Sequence, residues 1–258
     1  MKQSLSILIL FLISLISFSQ GLEKYKDIID IDDDYEIVKS NFDELNLIDL
    51  SDFWINNPTE RRFGFIGENY RRLRIKFLSL IKNEDYQNQY FVYGKSKVSE
   101  NICEFQGLIE VKESYYLKTV EYPEGKTGIL AGEYTFYENK KTKHSGIFKG
   151  HFVTYWYKDK DGKIKYNDLW DVSAMYNNNQ FVGTWTGYDN LNKLTANWGD
   201  GRIPQSGDLD IGTSEFAINR KYQSNGWDTF IKSWSGGFTE EEIKKARNTE
   251  NKIWWDEK

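Results

Sequence analysis

Four charged residues stand close together in one turn-rich stretch of the sequence: Asp200, Arg202, Asp208 and Asp210. In an extended segment, Asp208 and Asp210 would point to the same side, whereas Leu209 and Ile211 would point to the core. Two carboxylates held together raise each other's pKa and can do acid–base work, or they can bind a hard cation such as calcium. Arg202 can equally neutralise the pair, and the cluster is then a structural ion network.

Two tryptophans, Trp185 and Trp198, lie shortly before this cluster in the sequence and complete the candidate binding site. No catalytic residue, metal site or cofactor is assigned. His144 and His151 are the only histidines, and their odd separation puts them on opposite faces of one strand. The sequence also has no nucleophile elbow, Walker-type loop or dinucleotide glycine loop.

Glycines and large aromatic residues alternate along several segments, as in Phe181, Gly183, Trp185 and Gly187. The same pattern recurs in residues 128–137 and 146–156, with turn signals between the segments. Small residues that alternate with large ones suit the inside wall of a small closed barrel. The pattern therefore predicts an all-β fold: a single antiparallel, up-and-down β-barrel with a C-terminal helix.

The first residues have the features of a secretory signal peptide. Met1 and Lys2 precede an apolar run from Leu5 to Phe18, and small residues follow at the predicted cleavage site after Ser19. We expect an exported chain, periplasmic or extracellular, without a lipid anchor because no cysteine lies near that site. No second apolar run is long enough to span a membrane after signal cleavage.

The net charge and the cysteine content limit which partners and which chemistry the chain can use. The net charge of −5 is mild, which disfavours nucleic acid. Cys103 is the only cysteine and lies on the apolar face of an alternating strand, so we interpret it as a small buried hydrophobe.

Four segments follow from these patterns. Residues 1–19 are the signal peptide, and residues 20–57 are an acidic leader, mobile or partly helical, whose Trp54 pins its end to the barrel. Residues 58–238 are the barrel domain. Residues 239–258 are a helix, because Thr239 and Glu242 have the spacing of a capping box.

The candidate stretch also carries a resemblance. Residues 197–204, 206–212, 215–216 and 226–227 include Asn-Trp-Gly-Asp-Gly-Arg-Ile-Pro and Ser-Gly-Asp-Leu-Asp-Ile-Gly. They resemble a segment of a group of exported bacterial proteins with no assigned activity, so the resemblance implies export but no catalytic residues. The triplet Gly183-Thr184-Trp185 resembles that of calycins such as lipocalins and avidins. It stands in the first strand of lipocalins and late in this chain, so it implies a calycin-like architecture only.

Three functions remain open from the sequence. The preferred one is a non-catalytic barrel that binds a small-molecule or carbohydrate ligand or a protein partner. A hydrolase acting on sugars or other polar substrates would use Asp200, Asp208 and Asp210. An inhibitor or immunity-like partner binder would show an exposed apolar patch and no cavity.

Overall fold

A computed structural model describes residues 25, 36–55, 61–118, 126–169 and 176–256. The predicted signal peptide lies outside the described residues. The strands are β1 (Glu36–Ser40), β2 (Arg62–Ile66), β3 (Arg71–Lys82), β4 (Gln89–Val98), β5 (Asn101–Lys118), β6 (Thr127–Glu138), β7 (Gly146–Lys158), β8 (Ile164–Tyr166), β9 (Asn178–Gly187) and β10 (Lys193–Asp200). The helices are α1 (Phe42–Asn46), α2 (Asp52–Ile55), α3 (Asp228–Trp234) and α4 (Glu240–Glu250), with 3₁₀ turns at Arg220–Asn225 and Trp254–Asp256.

The strands pair antiparallel, mostly with their neighbours in sequence. The hydrogen-bonded order is β5-β4-β3-β2-β10-β9-β7-β6, and β6 pairs again with β5, so these strands form a ring. β1 adds to the end of β5, and the short β8 adds to β7. The mostly antiparallel β fold confirms the predicted class. In β3, Leu73, Ile75 and Phe77 are buried at a spacing of two, as in a strand with one face turned to the core.

Aromatic side chains fill the inside of the ring. Phe181 stacks on Trp198 with ring centroids 5.0 Å apart, and Tyr134 meets both at 5.3 and 5.1 Å. The rings of Phe77, Phe105, Phe136, Phe148 and Phe152 continue this cluster, and all are at most 1 % exposed. The side chains of the strands therefore make most of the core.

The glycines of the alternating pattern give these rings room. Gly128 faces Trp156 across the β6–β7 pair, and a Cβ on Gly128 would lie 2.0 Å from the Trp156 ring. Tyr134 similarly places its hydroxyl against Gly150 and Gly183 on the next two strands. Each ring thus covers the glycine of a neighbouring strand.

The leader closes one end of the ring, which we call the leader end. Trp54 of α2 is fully buried, and its centroid lies 5.1 Å from that of Tyr90 and 5.7 Å from that of Phe152. Its indole N–H donates to Thr154 Oγ1 at 3.2 Å. This contact agrees with the expected pinning by Trp54. The described part of the leader also contains β1 and the two short helices, so it is an ordered part of the fold.

The chain after β10 packs against the outside of β2 and β3. A second apolar cluster there joins Phe65 of β2 to Ile203, Leu209, Ile218, Trp227, Phe230 and Ile231. Arg72 and Arg74 of β3 both contact Glu250 of α4, at 2.6 and 3.1 Å. The predicted capping box of Thr239 and Glu242 is present, and α4 packs against α3 and reaches the strands through Glu250. The C-terminal helix is therefore confirmed, although its α-helical part ends at Glu250.

The expected extended segment at residues 208–212 is wrong. Asp210 makes only an isolated bridge to Ile218, and the surrounding residues are turns. Leu209 is buried as expected, but Ile211 is 57 % exposed. The alternation fails because glycines at 201 and 207, both with positive φ, turn the backbone on either side of Pro204.

Candidate functional site

Asp200 ends β10 at the leader end of the ring and is fully buried. Its two carboxylate oxygens accept bonds from Arg62, from Nε at 2.8 Å and from Nη2 at 3.2 Å. Tyr166 and Asn179 donate to the same carboxylate at 3.1 and 2.7 Å. A carboxylate with these donors is neutralised and satisfied, as buried charges in proteins usually are.

Asp210 pairs with Arg202 in the turn-rich stretch. Arg202 Nη1 donates to Asp210 Oδ2 at 2.6 Å, and the guanidinium also donates to the carbonyls of Gly212 and Ser214. The other carboxylate oxygen accepts from the backbone N–H groups of Gly212 and Ala217. This pair fixes the path of the loop.

Asp208 is exposed and has different partners. It accepts from the Lys221 ammonium and from the Tyr222 hydroxyl, the latter at 2.6 Å. The bond from Lys221, followed by that from Tyr222, lowers the pKa of Asp208. Asp200 therefore contacts Arg62, Asp208 contacts Lys221 and Asp210 contacts Arg202, so each aspartate has a different cationic partner. The structure does not gather the carboxylates around a common position in which a substrate or cation would sit.

The two candidate tryptophans are also separate. Trp198 is fully buried among the rings of the core, so it presents no face to a ligand. Trp185 is half-buried at the opposite end of the ring, which we call the loop end. Its indole N–H donates to Glu138 Oε2 at 2.9 Å.

Glu138 carries a buried carboxylate and was not among the site residues predicted from the sequence. It ends β6 on the inward face and is 5 % exposed. Its donors are neutral: the Ser96 hydroxyl, the Gly146 N–H at 2.8 Å and the Trp185 indole. Burial raises the pKa of Glu138 despite these bonds. In the sequence, Tyr134, Phe136 and Glu138 follow one another at a spacing of two. This spacing places the Glu138 carboxylate on the same face of the strand as the two aromatic rings.

Cys103 lies beside Glu138 and behaves as the small hydrophobe that was expected. It is buried, and burial raises the pKa of its thiol to about 12. Because the nucleophilic form is the thiolate, this environment makes the sulfur unreactive. Among the residues that the structure describes, no group of three His, Cys, Asp or Glu side chains is arranged to hold a metal ion.

The outer face of the ring carries exposed apolar side chains on adjacent strands. Ile81 of β3 pairs directly with Phe91 of β4, and Phe91 pairs with Leu108 of β5. Tyr137 of β6 lies two positions farther along the wall, opposite Gln106. These four side chains, the outer-wall patch, are between 37 and 63 % exposed. Phe91, Leu108 and Tyr137 line an open groove of about 630 Å³ together with Glu104, Gln106 and Asn139.

No family model, curated protein or solved structure matches the chain. The resemblance to exported bacterial proteins therefore stays a prediction. Within the described ranges, no helix is both long enough and apolar enough to cross a membrane.

Proposed function

We propose that the chain is an exported, non-catalytic, calycin-like β-barrel that binds a protein partner through its outer-wall patch. The barrel interpretation is supported by the up-and-down strand order and by the second pairing of β5, with β6, which closes the ring. Export rests on the sequence of residues 1–19. Binding at the wall rests on one observation, the contiguous apolar side chains across β3, β4, β5 and β6.

The filled core favours the wall over the inside of the ring as the binding surface. Calycin-type barrels that carry a small ligand keep an interior space for it. In this chain, the Trp198 ring occupies the middle of the ring of strands, and its centroid lies 5.0 Å from that of Phe181 and 6.4 Å from that of Phe136. An interior ligand would have to displace several close-packed rings, which is costly.

The outer wall has the chemistry of a protein interface. Aromatic residues are enriched in interfaces, and contiguous exposed apolar side chains on a soluble protein commonly mark them. The groove between Phe91 and Tyr137 offers a concave place for one partner side chain, with Gln106 and Asn139 as hydrogen-bonding groups at its rim. This combination of exposed patch and filled core is what a partner binder predicts.

The positions of the carboxylates do not favour the hydrolase hypothesis. Glycoside hydrolysis needs two carboxyl groups that face each other across the substrate. Asp200 is buried against Arg62, and Asp210 is held by Arg202 and backbone N–H groups. Neither carboxylate is presented to a substrate.

A comparison of three immobilised proteins tests the proposal: the exported wild type, a wall variant with Phe91→Ser and Leu108→Ser, and a control variant with Trp234→Ser and Ile253→Ser. The control removes exposed apolar side chains of similar size away from the patch. We expect one protein from the producing cells to bind wild type and control alike. The wall variant should bind it at least about tenfold more weakly, since each lost side chain contributes about 1 kcal/mol. Equal retention of that protein by all three would contradict the proposal.

A further inference from the structure

Two loops lie side by side at the loop end of the ring. Residues 139–145 join β6 to β7, and residues 188–192 join β9 to β10. The Tyr188 N–H donates to the Ser145 carbonyl at 3.0 Å, and the Tyr188 hydroxyl donates to the Glu138 carbonyl at 3.1 Å. These bonds make the two loops one surface, which we call the loop tip.

The loop tip is basic although the chain as a whole is acidic. Lys140, Lys141 and Lys143 are all exposed there, and Asp189 is the one acidic residue in the two loops. Lys140 lies over the Tyr188 ring at 4.9 Å, which holds one of these charges in the tip. The three lysines and Asp189 give the two loops a formal charge opposite in sign to the net charge of −5 of the whole chain. The neighbouring β4–β5 turn, which meets the tip where Asn101 donates to the Lys143 carbonyl, adds the exposed Glu100.

Leu191 stands in the same tip and is unusual in two ways. Its side chain is 76 % exposed, and its backbone has a φ of +53°. The left-handed region is disfavoured for residues with a branched apolar side chain, and turns normally use Gly, Asn or Asp there. The other described non-glycine residues with positive φ are polar or aromatic: Tyr70, Ser99, His144, Asn179 and Gln205. Leu191 is the one aliphatic residue among them, and backbone outliers of this kind cluster at functional sites.

We propose that the loop tip docks on an anionic membrane surface. The three lysines would lie among the headgroups, and Leu191 would enter the boundary between headgroups and acyl chains. A phospholipid surface offers negative charge and apolar contact at the same depth, which matches the combination in the tip. Nucleic acid supplies the charge but no apolar layer for an aliphatic side chain. Each lysine near such a surface strengthens binding roughly fivefold, so the docking is weak, reversible and sensitive to salt.

Cosedimentation of the exported protein with two kinds of vesicle tests the proposal. One kind contains phosphatidylcholine alone, and the other also contains phosphatidylglycerol. We expect binding to the anionic vesicles only, and its loss at high salt. Lys141→Glu with Lys143→Glu should weaken this binding at least tenfold. The matched control, Lys160→Glu with Lys163→Glu, changes two exposed lysines of the β7–β8 turn and should leave it within about twofold.

A second pair of variants tests the apolar contact separately. Leu191→Asn should weaken vesicle binding severalfold while keeping the fold, because Asn accepts the left-handed backbone. Leu47→Asn removes an equally exposed leucine, 78 % exposed, from the leader end and should have no effect.

Three results would each overturn the proposal. Neutral vesicles could bind the protein as well as anionic ones, the control variants could weaken binding as much as the tip variants do, or Leu191→Asn could bind like wild type. Displacement by soluble glycerol phosphate at the headgroup concentration would also overturn it, because the site would then bind a free anion. The wall variant should bind vesicles like wild type, so this result is independent of the proposed partner site.

Discussion

Three aspartates that stand close together in the sequence have three different environments in the fold. Asp200 is buried against Arg62, Asp210 is held by Arg202 and backbone, and Asp208 reaches solvent beside Lys221. The residue type alone therefore says little about role. Burial and the nearest cation decide whether a carboxylate is part of the packed fold or only of an exposed ion pair.

Asp200→Asn should destabilise the protein by about 3 kcal/mol or more. The change leaves the Arg62 guanidinium partly buried without its counter-charge, and breaking a buried pair in this way is costly. The free energy of unfolding in urea measures the effect. Asp208→Asn is the matched control and should leave that free energy almost unchanged, since Asp208 and Lys221 are exposed. If both variants unfold at the same urea concentration, the structural role of Asp200 is wrong.

Glu138→Gln should change how stability depends on pH. Burial raises the pKa of Glu138 in the folded state above its ordinary value of 4.5. As pH rises above 4.5, the unfolded chain loses the proton first, so the wild type loses stability until the folded-state pKa is passed. Glutamine does not ionise and removes this loss.

Urea unfolding of both proteins from about pH 4 to pH 8 measures this effect. The free energy of unfolding of the wild type, relative to that of Glu138→Gln, should fall with rising pH and then level off. A relative free energy that rises with pH would show that the donors around Glu138 outweigh its burial.

At the scale of the elements, alternation predicted most of the strands. The glycine-and-ring pattern identified β6, β7 and β9, because inward positions recur every second residue. The same rule of alternating faces fails in the turn-rich stretch after β10. Its glycines and Pro204 break the alternation, and Asp208 and Asp210 do not share a face.

The pairing of rings with glycines makes a specific prediction. Gly128→Ala should destabilise the protein by about 2 kcal/mol or more, because the new Cβ would lie 2.0 Å from the buried Trp156 ring. Gly236→Ala is the control, since nothing lies within 4 Å of its added Cβ, and it should change stability by less than about 0.5 kcal/mol. Thermal unfolding of the two variants gives the comparison. Equal melting temperatures would mean that Trp156 does not cover Gly128.

The leader is the element that the sequence described least well. Its acidic composition indicated a mobile or partly helical segment pinned by Trp54, but it did not place β1, α1 or α2, and the contacts of Trp54 show how the leader closes the ring. Short helices such as α1 and α2 have little intrinsic stability, so local propensity does not reveal them.

Trp54→Ala should cost about 3 to 5 kcal/mol, because the indole is fully buried between Tyr90 and Phe152. The same substitution at Trp234, which is 69 % exposed, should cost under about 1 kcal/mol. Urea unfolding followed by circular dichroism distinguishes them. If Trp54→Ala is as mild as Trp234→Ala, the leader does not close the core.

In the molecule as a whole, the proposed binding surface depends on strand register. Ile81, Phe91 and Leu108 are far apart in sequence, and each looks like a single exposed apolar residue on its own strand. They become one row only when β3, β4 and β5 pair in the observed register. The sequence therefore supplied the fold class and a list of polar candidates, whereas the apolar wall needed the pairing of strands.

Site-specific photo-crosslinking in the producing cells tests whether the outer-wall patch binds a protein partner. A photoreactive amino acid replaces Ile81, Phe91, Leu108 or Tyr137 on the patch, or Thr195 on β10 across the ring. We expect the patch positions to form adducts with one and the same protein, and Thr195 to form none. Excess unlabelled wild type should suppress the Phe91 adduct, whereas excess wall variant should not. Adducts of equal yield from Thr195, or no competition by wild type, would contradict binding through the outer wall.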